Sequence, residues 1–599
     1  MRFALIFSCL LCAAQSIRGD IIHPEDGSLR AIHFTDAKEG WAVGDDGIIQ
    51  HTIDGGATWE RQASGTRASL RGVYFFDESV GWAVGREELP FAAGSVGVVL
   101  YTKDGGIRWQ RLLDKSLPGL NAIRFTDRQT GLMMGDGVEP FTSGLFRTTD
   151  GGKSWEPVRG GWTPGWLAGD FQDGKTGILA GPWGRLATFR DDTWASASSD
   201  QFAGRAIRDV KILPRRLLAV GDAGLILTSA SAGAAWAHAD INLAPEARTN
   251  LDFHAIAAQG DRVWIVGRPG SVVLASKDGG ATWTTQKTGQ PLPLHAVAFV
   301  DGERGWAVGA GGTILHTANG GASWTTQKRG SARTPLLCVA AQATEIPLDT
   351  LAKIAGTEGY HATALAVTCA DPTHAAFRQS RMPQRLHQAV RQVGGVVGEE
   401  CARFPLPQYL HIASKDRILA FWNQSHGGQA ERELLRSLVL SLRQWRPDTV
   451  IVGDPEASSA SALIAEAMVE AARRAEDPEA FPEQIQVLGL SVWKTRSLFA
   501  ETRGGGVSVE TSLWSPILEM SPREAAMTPM ATIRDNALSP LPATRNYRSL
   551  SGTTNSDLMQ GVNAPNGEAR RLVPESTLDA KQLACSDEFD VVSSGDRPQ

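Results

Sequence analysis

A small set of polar residues in the second half of the chain has the types and positions to bind or act on a ligand. Each follows an apolar stretch, 336–341 or 449–452, that is typical of a buried strand. The carboxyl ends of parallel strands border a crevice, so we expect these side chains to line one pocket. Their hydrogen-bonding groups suit a sugar, and a purely structural role is an equal alternative. The set is Gln342, Thr344, Glu345, Asp454 and Ser461.

Metal binding in this region would depend on histidines, because catalytic zinc takes three His, Cys or carboxylate ligands. None of the histidines here has a partner at His-x-x-His or His-x-x-x-His spacing. A lone histidine is more often a surface or core residue than a ligand, so we expect neither a metal ion nor a cofactor. The histidines are His361, His374, His387, His411 and His426.

The elements that must position these residues alternate between strand and helix. Apolar stretches are separated by helical patterns such as 429–445 and 458–474, and the last apolar stretch, 485–492, reads as the final strand. This alternation is typical of an α/β fold with a mostly parallel sheet. We assign this domain to residues 335–500.

The order of these elements, with Arg-Pro-Asp-Thr-Val-Ile-Val at 446–452 before a helix, resembles the LmbE/PIG-L family of zinc-dependent N-acetylglucosaminyl deacetylases. In that family the first strand ends in Ala-His-Pro-Asp-Asp-Glu. Its His and second Asp bind zinc, its first Asp is the general base, and a later His-x-x-His supplies the other ligand. Zinc then polarises the amide carbonyl and lowers the pKa of its bound water.

This sequence departs from that family where the chemistry would occur. Gln342 stands at the position of the ligand His, Thr344 replaces the base, and only Glu345 keeps a carboxylate. The later motif falls at 458–461 and contains no histidine. We therefore predict a degenerate domain that is not an enzyme. The alternatives are a metal-dependent carbohydrate N-deacetylase with a relocated site, and an adaptor that binds glycans.

The first half of the chain consists of a repeated phrase. Gly-Trp-Ala-Val-Gly, or a close variant, is followed by an Asp-Gly-Gly turn and a closing tryptophan, with a period of about 44 residues. Seven copies at this period predict a seven-bladed all-β propeller over residues 28–328. The closing tryptophans are Trp59, Trp109, Trp155, Trp194, Trp236, Trp283 and Trp324.

The turn before each closing tryptophan resembles the Asp-box of BNR repeats. The carboxylate can accept hydrogen bonds from the backbone of its own turn, and the Gly pair suits left-handed conformations. Calcium is disfavoured because one phrase offers a single carboxylate, whereas calcium takes six to eight oxygens. The residues assigned this structural role are Asp54, Trp59, Asp104, Trp109, Asp150, Trp155, Asp278, Trp283, Asn319 and Trp324.

The full repeat, Phe-x-Asp-x-x-x-Gly-Trp-Ala-Val-Gly followed by the Asp-box, resembles the photosystem II stability/assembly factor family over residues 28–328. This resemblance implies an exported seven-bladed propeller that binds partner proteins and is not an enzyme. Sialidases also carry Asp-boxes, but they need a Tyr nucleophile and an Arg cluster. Only Tyr74 and Tyr101 lie in this half, both in strand-like settings.

Three long or aromatic turns between the second and third strands of neighbouring blades offer a contact site. They contain Phe91, Phe141 and Trp183. Exposed together, these rings would form a protein-binding patch. The alternative is that the loops fold back or cover the neighbouring domain.

The ends of the chain and its charge complete the expectations. Arg2, a short apolar run and small residues give residues 1–19 the order of a signal peptide, which predicts a secreted or periplasmic protein. The polar stretch 504–599 predicts a mostly disordered tail. A formal net charge of −6 gives no sign of a nucleic-acid partner. We expect no transmembrane span, and a protein or cell-envelope glycan as partner.

Overall fold

A computed structural model describes residues 26–92, 94–112, 117–191, 193–197, 202, 204–370, 381–535, 540–552, 556–562 and 570–571. The predicted signal peptide at 1–19 and His374 lie outside the described residues. Within them, no helix is both long enough and apolar enough to cross a membrane.

The seven-bladed propeller is confirmed, and each blade is one four-stranded antiparallel sheet made from consecutive strands. Blade 1 contains Leu29–Phe34, Gly40–Gly44, Ile49–Thr52 and Glu60–Gln62. Blade 2 contains Ser69–Phe75, Gly81–Glu88, Ser95–Thr102 and Gln110–Arg111. Blade 3 contains Leu120–Phe125, Gly131–Gly135, Leu145–Thr148 and Glu156–Pro157. Blade 4 contains Ala168–Asp173, Thr176–Gly181, Arg185–Arg190 and Thr193–Ser196.

The last three blades repeat this order. Blade 5 contains Ile207–Ile212, Leu217–Gly221, Leu225–Ser229 and Ala237–His238, and the short helix Pro245–Arg248 follows it. Blade 6 contains Asp252–Gln259, Arg262–Arg268, Val272–Ser276 and Thr284–Lys287. Blade 7 contains Leu294–Phe299, Gly305–Gly309, Ile314–Thr317 and Thr325–Lys328.

The ring closes without exchange of a strand between blades 7 and 1. The Trp306 ring of blade 7 stacks on Phe34 of blade 1 at 3.6 Å, and its Nε1 donates to the Gly55 carbonyl at 2.9 Å. In the same way Trp41 of blade 1 stacks on Phe75 of blade 2 at 3.5 Å and donates to a carbonyl of that blade's Asp-box turn. The contact between blades 7 and 1, which closes the ring, is therefore built in the same way as the contact between blades 1 and 2.

The second-strand glycine of the repeat is explained by this stacking. A Cβ placed on Gly40 would lie 2.5 Å from the Phe34 ring, too close for any side chain. The repeat thus places an aromatic ring against a glycine, which has no side chain. The ring fills the space that a side chain at the glycine would need.

The C-terminal domain contains a mixed, mostly parallel sheet of seven strands. Its spatial order is Val397–Glu400, Ala362–Ala366, Leu336–Ala340, Thr449–Val452, Ser497–Thr502, Thr544–Ser549 and Val507–Glu510. The first five strands are parallel and the last two are antiparallel. The middle strand of the five parallel ones, Leu336–Ala340, is buried throughout, which accounts for its unbroken apolar sequence.

Helices lie around this sheet. They are Leu348–Leu351, Met382–Gln392, Lys415–Ser425, Ala430–Trp445, Ser459–Glu476, Pro482–Gln486, Pro522–Ala525 and Met527–Ile533. Two apolar clusters fill the interior, one around Trp422 and Trp445 and the other around Phe499 and Tyr547.

The predicted strand at 485–492 is wrong. The structure has a short helix, Pro482–Gln486, and the fifth parallel strand is Ser497–Thr502. Leu488 and Leu490 are apolar because they pack in a cluster with residues of blades 5 and 6. The apolar residues of 485–492 therefore pack against the propeller and are not part of the sheet.

The predicted disordered tail is wrong for much of the described part of 504–571. The two antiparallel strands extend the sheet, and Leu518, Ile533 and Tyr547 are buried. These apolar residues lack a period because they are spread over short strands, turns and helices. Backbone hydrogen bonds between Thr544–Ser549 and the strand Ser497–Thr502 stabilise this segment, although its own composition gives no sign of order.

Candidate functional site

The crevice at the carboxyl ends of the parallel strands brings three of the five predicted residues together. Glu345 Oε2 accepts hydrogen bonds from the Gln342 backbone N–H at 3.4 Å and from Ser461 Oγ at 3.3 Å. Glu345 closes the turn that follows the first strand, while Ser461 lies in the first turn of Ser459–Glu476. Burial raises the pKa of the Glu345 carboxyl. This carboxyl is thus held by the backbone and by a serine.

The other two predicted residues have different surroundings. The Thr344 carbonyl accepts from Arg534 at 3.5 Å. Asp454 accepts from the Glu456 backbone N–H at 2.9 Å, in the loop that follows Thr449–Val452. Both side chains are half-buried at the same edge of the sheet.

Sequence reasoning missed a second half-buried carboxyl at this edge, Glu501 on Ser497–Thr502. Burial raises its pKa, while Arg545 opposes that shift and bonds both Glu501 and Asp349. Glu501 also raises the pKa of Glu345 electrostatically. Carboxyl oxygens accept hydrogen bonds and the Ser461 hydroxyl both donates and accepts, so this edge suits ligands rich in hydroxyl groups.

Three of the predicted histidines of the C-terminal domain have separate partners. His426 is 3.0 Å from the Arg403 carbonyl, and two others face carboxylates of the propeller: His361 lies 3.1 Å from Asp26 and His387 lies 2.7 Å from Asp45. Within the residues that the structure describes, which exclude 371–380, no three His, Cys, Asp or Glu side chains are grouped to hold a metal ion.

The C-terminal domain covers the propeller face formed by the turns between second and third strands. Arg381 lies 3.3 Å from Glu88 of blade 2 and 3.1 Å from Asp136 of blade 3, and Arg391 pairs with Asp46 of blade 1. On the far side, Glu399 pairs with Arg268 of blade 6 at 3.0 Å. These buried ion pairs span blades 1, 2, 3 and 6.

The protonation states at this interface follow from burial and charge. Burial opposes ionisation of Asp45, but the adjacent Arg30 guanidinium holds its pKa well below the usual range. Burial lowers the pKa of His387 to about 4. His387 Nδ1 lies 3.3 Å from the Gly398 backbone nitrogen, and Nε2 lies 2.7 Å from Asp45 and 2.6 Å from the Arg30 guanidinium. A neutral imidazole therefore lies against an ionised Asp45–Arg30 pair at neutral pH.

The three insertion-loop aromatics have separate surroundings. Phe91 is 48% exposed, and its segment Pro90–Ala92 lies against the helix Met527–Ile533 of the C-terminal domain. Phe141 is half-buried with its ring 5.4 Å from that of Phe146, and Trp183 is half-buried as well. The loop of blade 2 thus contacts the neighbouring domain.

The Asp-box turns lie on the opposite face of the propeller. Asp54 Oδ1 accepts from the Thr58 backbone N–H at 2.9 Å, and Gly55 and Gly56 have φ of 72° and 89°. Hydrogen bonds from Thr58 and Thr52 lower the pKa of Asp54 to about 2. The equivalent bonds are made by Asp104, Asp150, Asp278 and Asn319. The turn is closed on itself by these bonds.

A family model supports the relationship indicated by the repeats. Residues 21–159 and 205–296 match photosynthesis system II assembly factor YCF48. The propeller is similar to this family of assembly factors. The match omits the worn fourth repeat and covers less than half of the chain.

Solved structures with similar chains include two YCF48 proteins. YCF48 bound to a D1 peptide is 22% identical, over 49% of this chain and 93% of its own, with a TM-score of 0.40. YCF48 from Cyanidioschyzon merolae is 20% identical, over 50% and 98%, with a TM-score of 0.38. The GH74 enzyme of Niastella koreensis is 14% identical, over 53% and 56%, with a TM-score of 0.40. No curated protein matches the chain.

Proposed function

We propose that this chain is an exported, non-catalytic binding protein whose propeller holds a protein or cell-envelope partner in an assembly-factor-like role. The observation that carries the proposal is the match of two long propeller segments to the YCF48 family model. The signal-like order of residues 1–19 supports export to the periplasm or the medium.

The Asp-box face is the proposed binding face. The opposite face is covered by the chain's own C-terminal domain through buried ion pairs. On the Asp-box face, Ile53 is 66% exposed and Ile107 is 82% exposed, on neighbouring blades. Exposed apolar side chains on rigid turns suit contact with a protein surface.

Replacing both isoleucines by glutamate is expected to weaken capture of the partner about tenfold or more, because charge would be placed at the centre of the contact. The measurement is quantitative mass spectrometry of proteins cross-linked to the tagged full chain in envelope fractions of the source cells. The Leu513→Glu variant is the control, since Leu513 is 67% exposed on the C-terminal domain. Equal capture by I53E/I107E, or loss in L513E alone, would count against this face.

We further propose that the C-terminal domain is a degenerate α/β domain of LmbE/PIG-L type without catalytic activity. The supporting observation is that Glu345, the one carboxylate kept at the family's ligand position, is bonded to the Gln342 backbone and to Ser461. Its crevice then serves to bind rather than to hydrolyse, with a glycan as the ligand that its hydroxyl-compatible groups favour.

Zinc content separates this proposal from the relocated deacetylase. The chain purified from zinc-supplemented medium is expected to hold close to no zinc, because serine, threonine and glutamine are poor zinc ligands beside His and carboxylate. Elemental analysis of zinc per chain is the measurement. A near-stoichiometric, tightly held zinc would contradict the proposal, and mutation of Glu345 and of each histidine would then locate the site.

A further inference from the structure

A partly open cavity of about 430 Å³ lies between the covered propeller face and the C-terminal domain. Blade 2 supplies Arg71 and Arg86, the helix Met382–Gln392 supplies Gln384 and Arg391, and Leu518 and Pro529 form part of an apolar wall. A volume of this size holds a small organic molecule.

Besides Glu88 Oε2, which lies 3.3 Å from Arg381, two polar atoms in this wall have no hydrogen-bond partner. Arg71 Nε and Gln384 Oε1 are both shielded from solvent without a hydrogen-bond partner among the residues that the structure describes. One is a donor on a cation and the other is an acceptor. Buried polar groups in native proteins are nearly always bonded, so each orphan needs an explanation.

The neighbouring charges leave Arg71 uncompensated. Arg86 bonds Glu88 at 2.6 Å and Asp136 at 2.8 Å. Asp45 is bonded by Arg30 at 3.0 Å, and Asp46 pairs with Arg391. Of the remaining carboxylates in the lining, Glu524 accepts a hydrogen bond from Ser521 and Glu87 is exposed to solvent. Burial, together with the like charges of Arg30 and Arg86, lowers the pKa of Arg71 to about 9. An arginine held in such surroundings is stabilised by an anion.

We infer that this space is a binding site for a small organic anion, whose carboxylate or phosphate pairs with Arg71 and whose hydroxyl or amine donates to Gln384. The apolar wall covers the rest of the ligand. The site is composite, because Arg71 belongs to the propeller and Gln384 to the C-terminal domain. It is separate from the strand-end crevice and from the Asp-box face.

Calorimetric titration of the full chain tests the inference with sugars that differ only in charge. The probes are glucuronate, glucose 6-phosphate and neutral glucose, with inorganic phosphate as a fourth arm. We expect one or both charged sugars to bind and glucose not to bind. Preference between the two charged sugars identifies the anion, and binding of inorganic phosphate alone would overturn the organic ligand.

The Arg71→Gln variant is expected to lose about tenfold or more in affinity for the charged sugar, since it removes the paired cation. It should fold, because it removes an uncompensated buried charge, and its thermal unfolding is measured beside the titration. The Arg111→Gln variant, an exposed arginine of the same blade, is the matched control. Unchanged affinity in R71Q, equal binding of glucose, or no binding by any probe would overturn the inference.

Discussion

Replacing Trp306 by alanine is expected to lower the free energy of unfolding by about 3–5 kcal/mol. The side chain is fully buried between blades 7 and 1, so its removal leaves a cavity at the seam that closes the ring. The same change removes the stack on Phe34 and the hydrogen bond to the Gly55 carbonyl. Urea unfolding followed by circular dichroism measures the change.

Two further variants make the result specific. Trp41→Ala is expected to cost about as much as Trp306→Ala, because the two rings make the same stack and the same type of hydrogen bond. Trp514→Ala should cost less than about 0.5 kcal/mol, since Trp514 is 65% exposed. A seam variant as mild as W514A would contradict the account of ring closure.

Three buried histidines are expected to cost the protein several kcal/mol of stability between pH 6.5 and about pH 4, partly offset by Glu400, whose pKa burial raises to about 8. Burial lowers the pKa of His33 to about 4, of His254 to about 3 and of His387 to about 4. Below pH 6.5 the unfolded chain binds protons that these native histidines do not, so acid favours unfolding. Each shift of this size corresponds to roughly 3 kcal/mol or more.

The pH range distinguishes the effect of the histidines on stability from the effect of the interface carboxylates. Asp26 and Asp45 have pKa values well below 3.8 in the folded protein, so the stability that they contribute is lost only below about pH 4. Urea midpoints at pH 7.5 and 5.0 are compared between the wild-type chain and His254→Gln, because Glu400 titrates in both and its contribution cancels. His254→Gln should flatten the acid slope. An equal difference between the two pH values in both chains would refute the prediction.

The propeller was predictable because its sequence repeats the physical unit that builds it. Each copy carries the glycine, the ring and the turn carboxylate that one blade needs, and even the worn fourth and fifth copies kept their closing tryptophans, Trp194 and Trp236. The parallel order of the C-terminal sheet was less readable. A run such as 485–492 is apolar for contact with another domain, which periodicity does not distinguish from a strand.

The candidate site was only partly predictable for the same reason. Glu345 and Ser461 follow strands that the sequence marks clearly, and the structure brings them together. Glu501 was missed because its strand was placed too early in the chain. His387, which contacts Asp45, lies 342 residues away in the other domain. Charged turn residues give no sign in sequence that another domain will bury them.

The covered face has a mechanical consequence for a ring that has no exchanged strand. Among the described residues, no backbone–backbone hydrogen bond joins blades 7 and 1. The C-terminal domain contacts blade 6 through Arg268 and blade 1 through Asp45, one on each side of that join. The domain therefore cross-links the two sides of the join from outside the ring. Separating blades 7 and 1 requires breaking these interdomain contacts, so the rigidity of the propeller depends on the docking of the domain that follows it.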